Sequence, residues 1–416
     1  MKILYVSQYF PPEMGAPSAR VYELSKHWVR MGHKVTVLTG YPNHPTGIVP
    51  QDYKTLLKYG TIVEKKDGID VIRTWLYPAP NRLPYERILN YSSFFISACL
   101  RGLMLSKFDI IVGTSPQLLC ALAGWIISRN MRRPFIFEVR DIWPESLLAS
   151  GIGRENSQLI RTLKKIAVFL YNRSETIVVV TEAFKSELVR KYNVPESKIE
   201  IIENGIETDR FYPMQDVQLI RKKFGFDNKF VVSYIGTIGY AHGLDIVIRA
   251  AKILKDKIPD LYFVLLGEGV QKERLKAEVY SEKLDNVFIL DQVLRDKIPA
   301  FINASDVCLV SLRKSELFKT VIPSKMLEFM ACGKPLILAV DGQARRIMES
   351  AEAGIYIEPE NHDELINAVV KMYNEPYLRR KYGENGRNYI LKYFTRQQKA
   401  NQYLTIITKM FQSFKH

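Results

Sequence analysis

Cysteine is scarce in this sequence, with four in 416 residues, at positions 99, 120, 308 and 332. No two share a Cys-x-x-Cys spacing and all lie among apolar neighbours, so a disulfide-built scaffold is excluded and free buried thiols are expected. Histidine is nearly as rare, with six in all. His27, His33, His44, His362 and His416 form no spacing suited to zinc, and only His242 stands in a segment with chemical promise. No apolar run approaches the roughly 20 residues that a membrane span needs. The nearest, residues 94–100, is short and closed by Arg101. Met1-Lys2 leads directly into Ile3-Leu4-Tyr5-Val6, without a signal region or cleavage site, so a cytoplasmic protein is expected. Neither an internal repeat nor a low-complexity tract is visible.

Charge, by contrast, is plentiful and mostly basic: 59 Lys and Arg against 44 Asp and Glu, a net charge of +15. Residues 1–208 hold 27 basic and 19 acidic side chains, and the remainder holds 32 and 25. A nucleic-acid binder usually concentrates its charge on one module, so no nucleic-acid partner is expected. An even spread fits attraction to anionic substrates and to the anionic inner face of a membrane. A merely solvated basic surface is the other reading. The 47% hydrophobic content is that of an ordinary globular protein, and the length suits two domains better than one core.

Short apolar runs alternate with amphipathic segments from end to end, which predicts an α/β fold with doubly wound parallel sheets. Strands are expected over 2–7, 34–39, 70–74, 109–114, 135–139, 176–181 and 200–203. A second series follows over 230–235, 262–266, 287–290, 307–311, 336–340 and 355–357. The turn-rich segment 204–209 separates the series, giving domains 1–205 and 206–395, with a last helix over 396–416 crossing back to the first. Ligands of such sheets bind beyond the carboxyl ends of the strands. In a two-domain chain those ends are expected to face each other across a cleft.

The most informative segment is 323–339, Pro-Ser-Lys-Met-Leu-Glu-Phe-Met-Ala-Cys-Gly-Lys-Pro-Leu-Ile-Leu-Ala. It predicts a helix that begins at Pro323 and Ser324 and stops at Gly333. Free N–H groups at a helix start suit a diphosphate. Glu328, about one turn further in, can accept two hydrogen bonds from a ribose diol. Three loops share the position of a strand's carboxyl end. The first, 8–17, brings Gly15 to a helix start. The second, Glu138-Val139-Arg140-Asp141-Ile142-Trp143-Pro144-Glu145, places Arg140, Asp141 and Glu145 together, either as a buried brace or with Asp141 set to orient or partly deprotonate a hydroxyl. The third, Gly236-Thr237-Ile238-Gly239-Tyr240-Ala241-His242-Gly243, follows the first strand of the second series.

These segments resemble family 4 glycosyltransferases, retaining enzymes of the two-domain GT-B fold, over nearly the whole chain. The Arg140–Glu145 stretch is similar to the Arg-Asp-Leu-Trp-Pro-Glu signature of a subgroup that builds O-antigen, capsule and colanic-acid units, N-acetyl-fucosamine transferases among them. The resemblance implies that Gly15 belongs to the donor-diphosphate loop and that Arg140 and Glu145 lie on the acceptor side. Gly236, Thr237 and Gly239 then cradle the diphosphate, while Glu268 and Val293 frame the base. Two departures stand out. The family usually supplies Arg and Lys where this chain has Thr237 and His242, so Lys319, Lys325 and His242 are expected to neutralise the leaving charge. The usual Glu, seven residues, Glu pattern has Thr320 at its first position.

The implied activity is transfer of a hexose or N-acetylated amino sugar from a nucleotide diphosphate, UDP above others, to a polyprenyl-diphosphate-linked saccharide in surface polysaccharide assembly. The absence of any Asp-x-Asp implies transfer without a metal or other cofactor. Two alternatives from other classes stay open: a UDP-sugar 2-epimerase of the same fold, and a non-catalytic nucleotide-sugar-binding protein. Residues 82–101 predict a helix with a wide apolar face and basic ends. That pattern fits core packing, or an interfacial helix at the membrane.

Overall fold

Runs of Val, Ile and Leu that recur between amphipathic segments dictate strands buried on both faces with helices laid over them. The computed structural model of the chain has this form. It describes all residues except 14, 45, 56–59, 81–83, 146, 148–156, 216 and 416; the predicted helix start at Arg82 and the last residue, His416, lie outside the described residues. The chain divides into two units, Met1–Asn204 with Arg396–His416, and Gly205–Thr395.

The first unit is built on β1 (Lys2–Val6), β2 (Lys34–Gly40), β3 (Thr61–Lys66), β4 (Ile69–Thr74), β5 (Ile110–Thr114), β6 (Phe135–Val139), β7 (Thr176–Val179) and β8 (Ile199–Ile201). Their order in the sheet is β3-β4-β2-β1-β5-β6-β7-β8. β1 lies between β2, where Lys2 pairs Lys34, and β5, where Ile3 pairs Ile110. The order of the strands reverses at β1, so the loops after β1 and β5 diverge and leave a crevice at their carboxyl ends. Gln117 Nε2 donates to Tyr9 Oη at 2.9 Å across these two loops.

One strand departs from the expected parallel sheet. β3 runs antiparallel to β4, with Ile62 opposite Arg73. Thr-Ile-Val-Glu-Lys-Lys buries Ile62 and exposes Lys65 and Lys66, charges that discourage an edge strand from pairing with other chains. A search for apolar runs passes over such a segment.

Helices cover both faces of this sheet. Leu4, Val6, Leu38, Phe94, Phe135, Phe137 and Leu170 share one core, and Ile3, Tyr5, Val35, Val37, Trp28 and Tyr403 share the other. The final helix, Arg396–Lys415, belongs to this second layer. Trp28 Nε1 donates to the Ala400 carbonyl at 3.0 Å, and its ring meets Tyr403 edge-on at 5.3 Å between centroids.

The second unit carries β9 (Phe230–Ile235), β10 (Leu261–Leu266), β11 (Val287–Leu290), β12 (Val307–Ser311), β13 (Leu336–Ala339) and β14 (Gly354–Tyr356). They lie in the order β11-β10-β9-β12-β13-β14, and every pairing is parallel. Here β9 is the strand at which the order reverses, so the loop after it, 236–243, stands at the crevice. Phe230, Val232, Phe263 and Leu309 bury one face of the sheet; Ile235, Val310, Met326 and Leu338 bury the other.

Candidate active-site residues in two units

In the second unit the chemistry gathers around a lysine. Gly236 leaves β9 with φ 144°, a conformation that L side chains rarely adopt, and a Cβ there would stand 2.6 Å from Lys325 Nζ. Glycine at this position therefore makes room for the amine. The ammonium lies 3.7 Å from the centroid of the Tyr234 ring, within cation–π range. Tyr234 is itself fixed by donating to the Thr237 carbonyl at 2.6 Å, and His242 meets its ring edge-on at 5.9 Å. Lys325 Nζ and His242 Nδ1 are both buried and have no hydrogen-bond partner among the described residues.

Such groups shift their protonation. Burial pulls Lys325 down to about 7, against the opposing pull of Glu328. Burial, and then the charge of Lys325, pull His242 down to about 4. Near neutral pH the lysine is divided between charged and neutral forms, so an anion brought beside it would draw it to the charged form.

The helix Ser324–Ala331 starts at the same place. Its N-cap is Pro323, and no side chain caps its first turn, which leaves backbone N–H groups of the kind that bind anions. Ser324 is exposed and Glu328 is half-buried, one turn in. The loop bearing His242 is held by Arg313, whose Nε donates to the Tyr240 carbonyl at 2.7 Å and whose other arm pairs Asp245 at 3.0 Å. Ser311 Oγ donates to the His242 carbonyl at 2.8 Å.

The other residues singled out in this unit are placed differently. Lys319 is 39% exposed and pairs with Glu316 at 2.7 Å; that carboxylate raises its pKa. Glu268 is exposed; its carboxylate accepts from Lys272, which lowers its pKa, while its backbone carbonyl accepts from Ile238 N at 2.8 Å and so ties two loops together. Val293 packs half-buried against the core. Gly239 opens the short 3-10 turn Tyr240–His242, and Thr237 is exposed.

In the first unit the residues after β1, β5 and β6 converge. Gly15 is the N-cap of the helix Ala16–Arg30, whose first turn also lacks a side-chain cap. Ser115 Oγ accepts from Arg140 N at 2.7 Å and from Asp141 N at 3.3 Å. The Arg140 guanidinium reaches the Pro17 carbonyl at 3.2 Å, and its Nε is buried without a partner among the described residues. Burial pushes the Asp141 carboxyl up to about 6, with Arg140 opposing, which is the range of a group that can take or return a proton near neutrality. Glu145 accepts from Lys191 at 2.6 Å and from the Tyr192 hydroxyl, so it braces its own unit.

Four residues escaped the reading of the sequence. Tyr234 sits in an apolar strand, and its hydroxyl was the signal that a partner must exist. Arg20 and Glu138 pair at 2.9 Å with side chains 1% and 0% exposed, and neither position marks itself by spacing. Glu13, in the loop after β1, accepts from Asn43 N at 3.0 Å and His44 N at 2.9 Å; burial pushes it up to about 7.

Comparison with known proteins matches the two parts of the chain separately. Residues 18–210 match the family described as Glycosyltransferase Family 4, and residues 216–389 match Glycosyl transferases group 1. WcaI of Escherichia coli K12, provisionally named a colanic acid biosynthesis glycosyl transferase, is 24% identical over 98% of this chain and 100% of its own. Among solved structures, sucrose-phosphate synthase from Thermosynechococcus elongatus superposes with a TM-score of 0.77 at 19% identity, covering 99% of each chain. HepE of Anabaena, in complex with UDP-glucose, gives 0.73 at 19% identity over 98% of this chain and 100% of that one.

Proposed function

From a chain that belongs to the GT-B glycosyltransferases, a family 4 part followed by a group 1 part, we propose a retaining transferase. It moves a hexose or N-acetylated amino sugar from UDP to a lipid-linked saccharide in surface polysaccharide assembly. The observation that carries this reading is Lys325. Among the described residues its buried amine has no hydrogen-bond partner and lies over an aromatic face, beside an uncapped helix start and one turn before Glu328. A diphosphate supplies what that amine and those N–H groups lack, and Glu328 takes the ribose hydroxyls. The UDP and UDP-glucose bound by HepE support uridine as the base. The name of WcaI supports a polysaccharide product.

In the transfer, the bond between the anomeric carbon and the diphosphate oxygen breaks while the acceptor oxygen bonds the same carbon from the same face. The acceptor proton passes to the departing phosphate oxygen, so a strong dedicated base is not required. Asp141 orients the acceptor hydroxyl. Charge leaving with the phosphate is neutralised by Lys325, with Lys319 and His242 assisting, and donors of this kind contribute about 100-fold or more to such a step. The lysines give that charge a destination without a metal, so excess chelator is expected to leave the rate intact.

The direct test is Glu328→Ala. Loss of a charge-assisted contact to the ribose is expected to weaken donor binding by about 1.5–3 kcal/mol, read as a raised KM for the nucleotide sugar. An unchanged donor KM would refute the ribose assignment.

A further inference from the structure

A sheet ends in strands whose outer N–H and C=O groups meet no neighbour, and a protein must blunt such edges or cover them. Among the described residues the two sheets end in β3, β8, β11 and β14. Three of these are blunted. β3 exposes Lys65 and Lys66. β8 is three residues long, with Glu200 exposed at its centre. β14 is equally short, and the Arg345 guanidinium stands 3.9 Å from the centre of its Tyr356 ring. β11 is different. It reads Val-Phe-Ile-Leu, carries no charge, and leaves Phe288, Ile289 and Leu290 only half-buried.

The pairing with β10 fixes which groups point outward. The Asn286 carbonyl accepts from Phe263 N at 2.8 Å and the Leu290 carbonyl from Gly267 N at 3.1 Å. Residues of even number therefore face β10, and Val287 and Ile289 turn their N–H and C=O groups to the free side. Both faces beside that edge are apolar. On one, the Phe288 ring lies 5.8 Å from Phe226 and 4.7 Å from Tyr262 between centroids. On the other, Ile289 lines a groove of about 440 Å³ with Val279, Tyr280, Lys276, Lys283 and Asp285. Tyr280, near the end of the helix Lys272–Ser281, is 86% exposed.

A row of outward N–H and C=O groups is matched by another strand. The charges nearby narrow the choice of strand. Although the chain carries +15 overall, the groove holds both signs: Lys276 pairs with Glu273 at 3.2 Å and Asp285 with Lys255 at 3.1 Å. Such a rim gives no hold to a polyanion and does not repel its own copy. Within the molecule only β11 suits β11, since the other edges would set Lys, Glu or Arg against its apolar row. A two-fold axis at Phe288 sets Val287 opposite Ile289 of the second copy and Ile289 opposite its Val287, two pairs that each exchange two hydrogen bonds. The two Phe288 rings then meet as an aromatic cross-strand pair. Asp285 comes opposite Asp291 in this register, and each is already neutralised by a lysine of its own chain, Lys255 at 3.1 Å and Lys272 at 2.5 Å.

We propose that the protein forms a two-fold dimer in which the β11 edges of two copies pair antiparallel and continue one sheet into the next. The proposal stands on the second unit alone and does not need the transferase reading.

Analytical ultracentrifugation of the full chain tests it. A monomer is expected to give way to a dimer between about 1 and about 100 µM, as suits a patch smaller than a permanent interface. Over the same range hydrogen exchange of the Val287 and Ile289 amides is expected to slow about tenfold or more. Tyr280→Glu, at an exposed position, is expected to raise the dissociation constant about tenfold or more with its thermal midpoint unchanged. Ile289→Pro removes one outward N–H, a loss that an edge strand tolerates, and is expected to abolish the dimer. A monomer at every concentration would overturn the proposal. So would a dimer whose Val287 and Ile289 amides exchange as fast as in the monomer, or one that Tyr280→Glu leaves intact. Protection of the two amides only by a different polypeptide from a cell extract would overturn it as well. UDP-glucose binding by the same variants reports on the transferase reading separately.

Discussion

Arg20 and Lys325 are both buried cations, and they are treated in opposite ways. Arg20 Nε donates to Glu138 at 2.9 Å, and its other nitrogens reach the Ile202 and Glu203 carbonyls and Asn204 Oδ1 at 2.9, 3.0 and 3.0 Å. Glu138 in turn accepts from Tyr5 Oη at 2.6 Å and Thr114 Oγ1 at 2.7 Å. Burial alone would push the Glu138 carboxyl up, but Arg20, Arg140 and the two hydroxyls outweigh it and hold it below its ordinary value. Lys325 Nζ, by contrast, has no hydrogen bond among the described residues, and its pKa falls. A closed network of this kind fixes a structure. A cation left unsatisfied costs stability unless a ligand completes it, so the two sites divide the work between holding the fold and binding a substrate.

The sharpest way to break the comparison is to remove each cation. Arg20→Met strands Glu138 in the core as an unpaired charge and is expected to lower stability by about 3–5 kcal/mol, measured by urea unfolding. A loss below about 1 kcal/mol would mean that the cluster is not closed in the way described. Lys325→Met removes a desolvated amine and replaces it with a side chain of similar length. Its unfolding midpoint is expected to stay or rise, while turnover falls about 100-fold. Destabilisation with activity retained would turn the contrast on its head.

How far these features were legible in the sequence follows from the same physics. Strands buried on both faces announce themselves as apolar runs, and of the fourteen strands among the described residues thirteen overlap the predicted spans; β8, predicted over 200–203, lies at Ile199–Ile201, and only β3 has no counterpart. It was hidden because an edge strand exposes its charges. The loops at the strands' carboxyl ends were legible because Gly236 and the start of the helix Ser324–Ala331 have backbone reasons to be what they are. The pairing of Arg20 with Glu138 was not, since a contact 118 residues apart leaves no local spacing to read. Nor was the Tyr234 ring beneath Lys325, for the same reason.

A milder comparison uses pH. Lys325 has an ordinary value of 10.5 and a folded value of about 7, so between these limits the unfolded chain holds a proton that the folded chain lacks. Its contribution to stability is therefore present above 10.5 and is lost as pH falls to about 7, with a slope of up to about 1.4 kcal/mol per pH unit. The difference between wild type and Lys325→Met isolates this slope from other groups. Donor affinity should move the other way, falling as pH rises above about 7, because the diphosphate needs the charged amine. A wild-type minus variant difference that does not change with pH would remove Lys325 from both roles.

The smallest effect is expected at Lys319, and it sharpens the contrast between the two lysines of the proposed site. Lys319 is solvated and already paired with Glu316, so Lys319→Ala should change stability by less than about 0.5 kcal/mol. If the leaving phosphate does draw it from Glu316, turnover falls in Lys319→Ala by much less than in Lys325→Met, because a screened, exposed cation gives up little when it is lost. The rates of the two single variants and the double variant, compared at low and high salt, decide the point. A Lys319 effect as large as that of Lys325 and insensitive to salt would mean that the lysine is buried once the donor binds, and that the amine over Tyr234 is not the principal charge at the diphosphate.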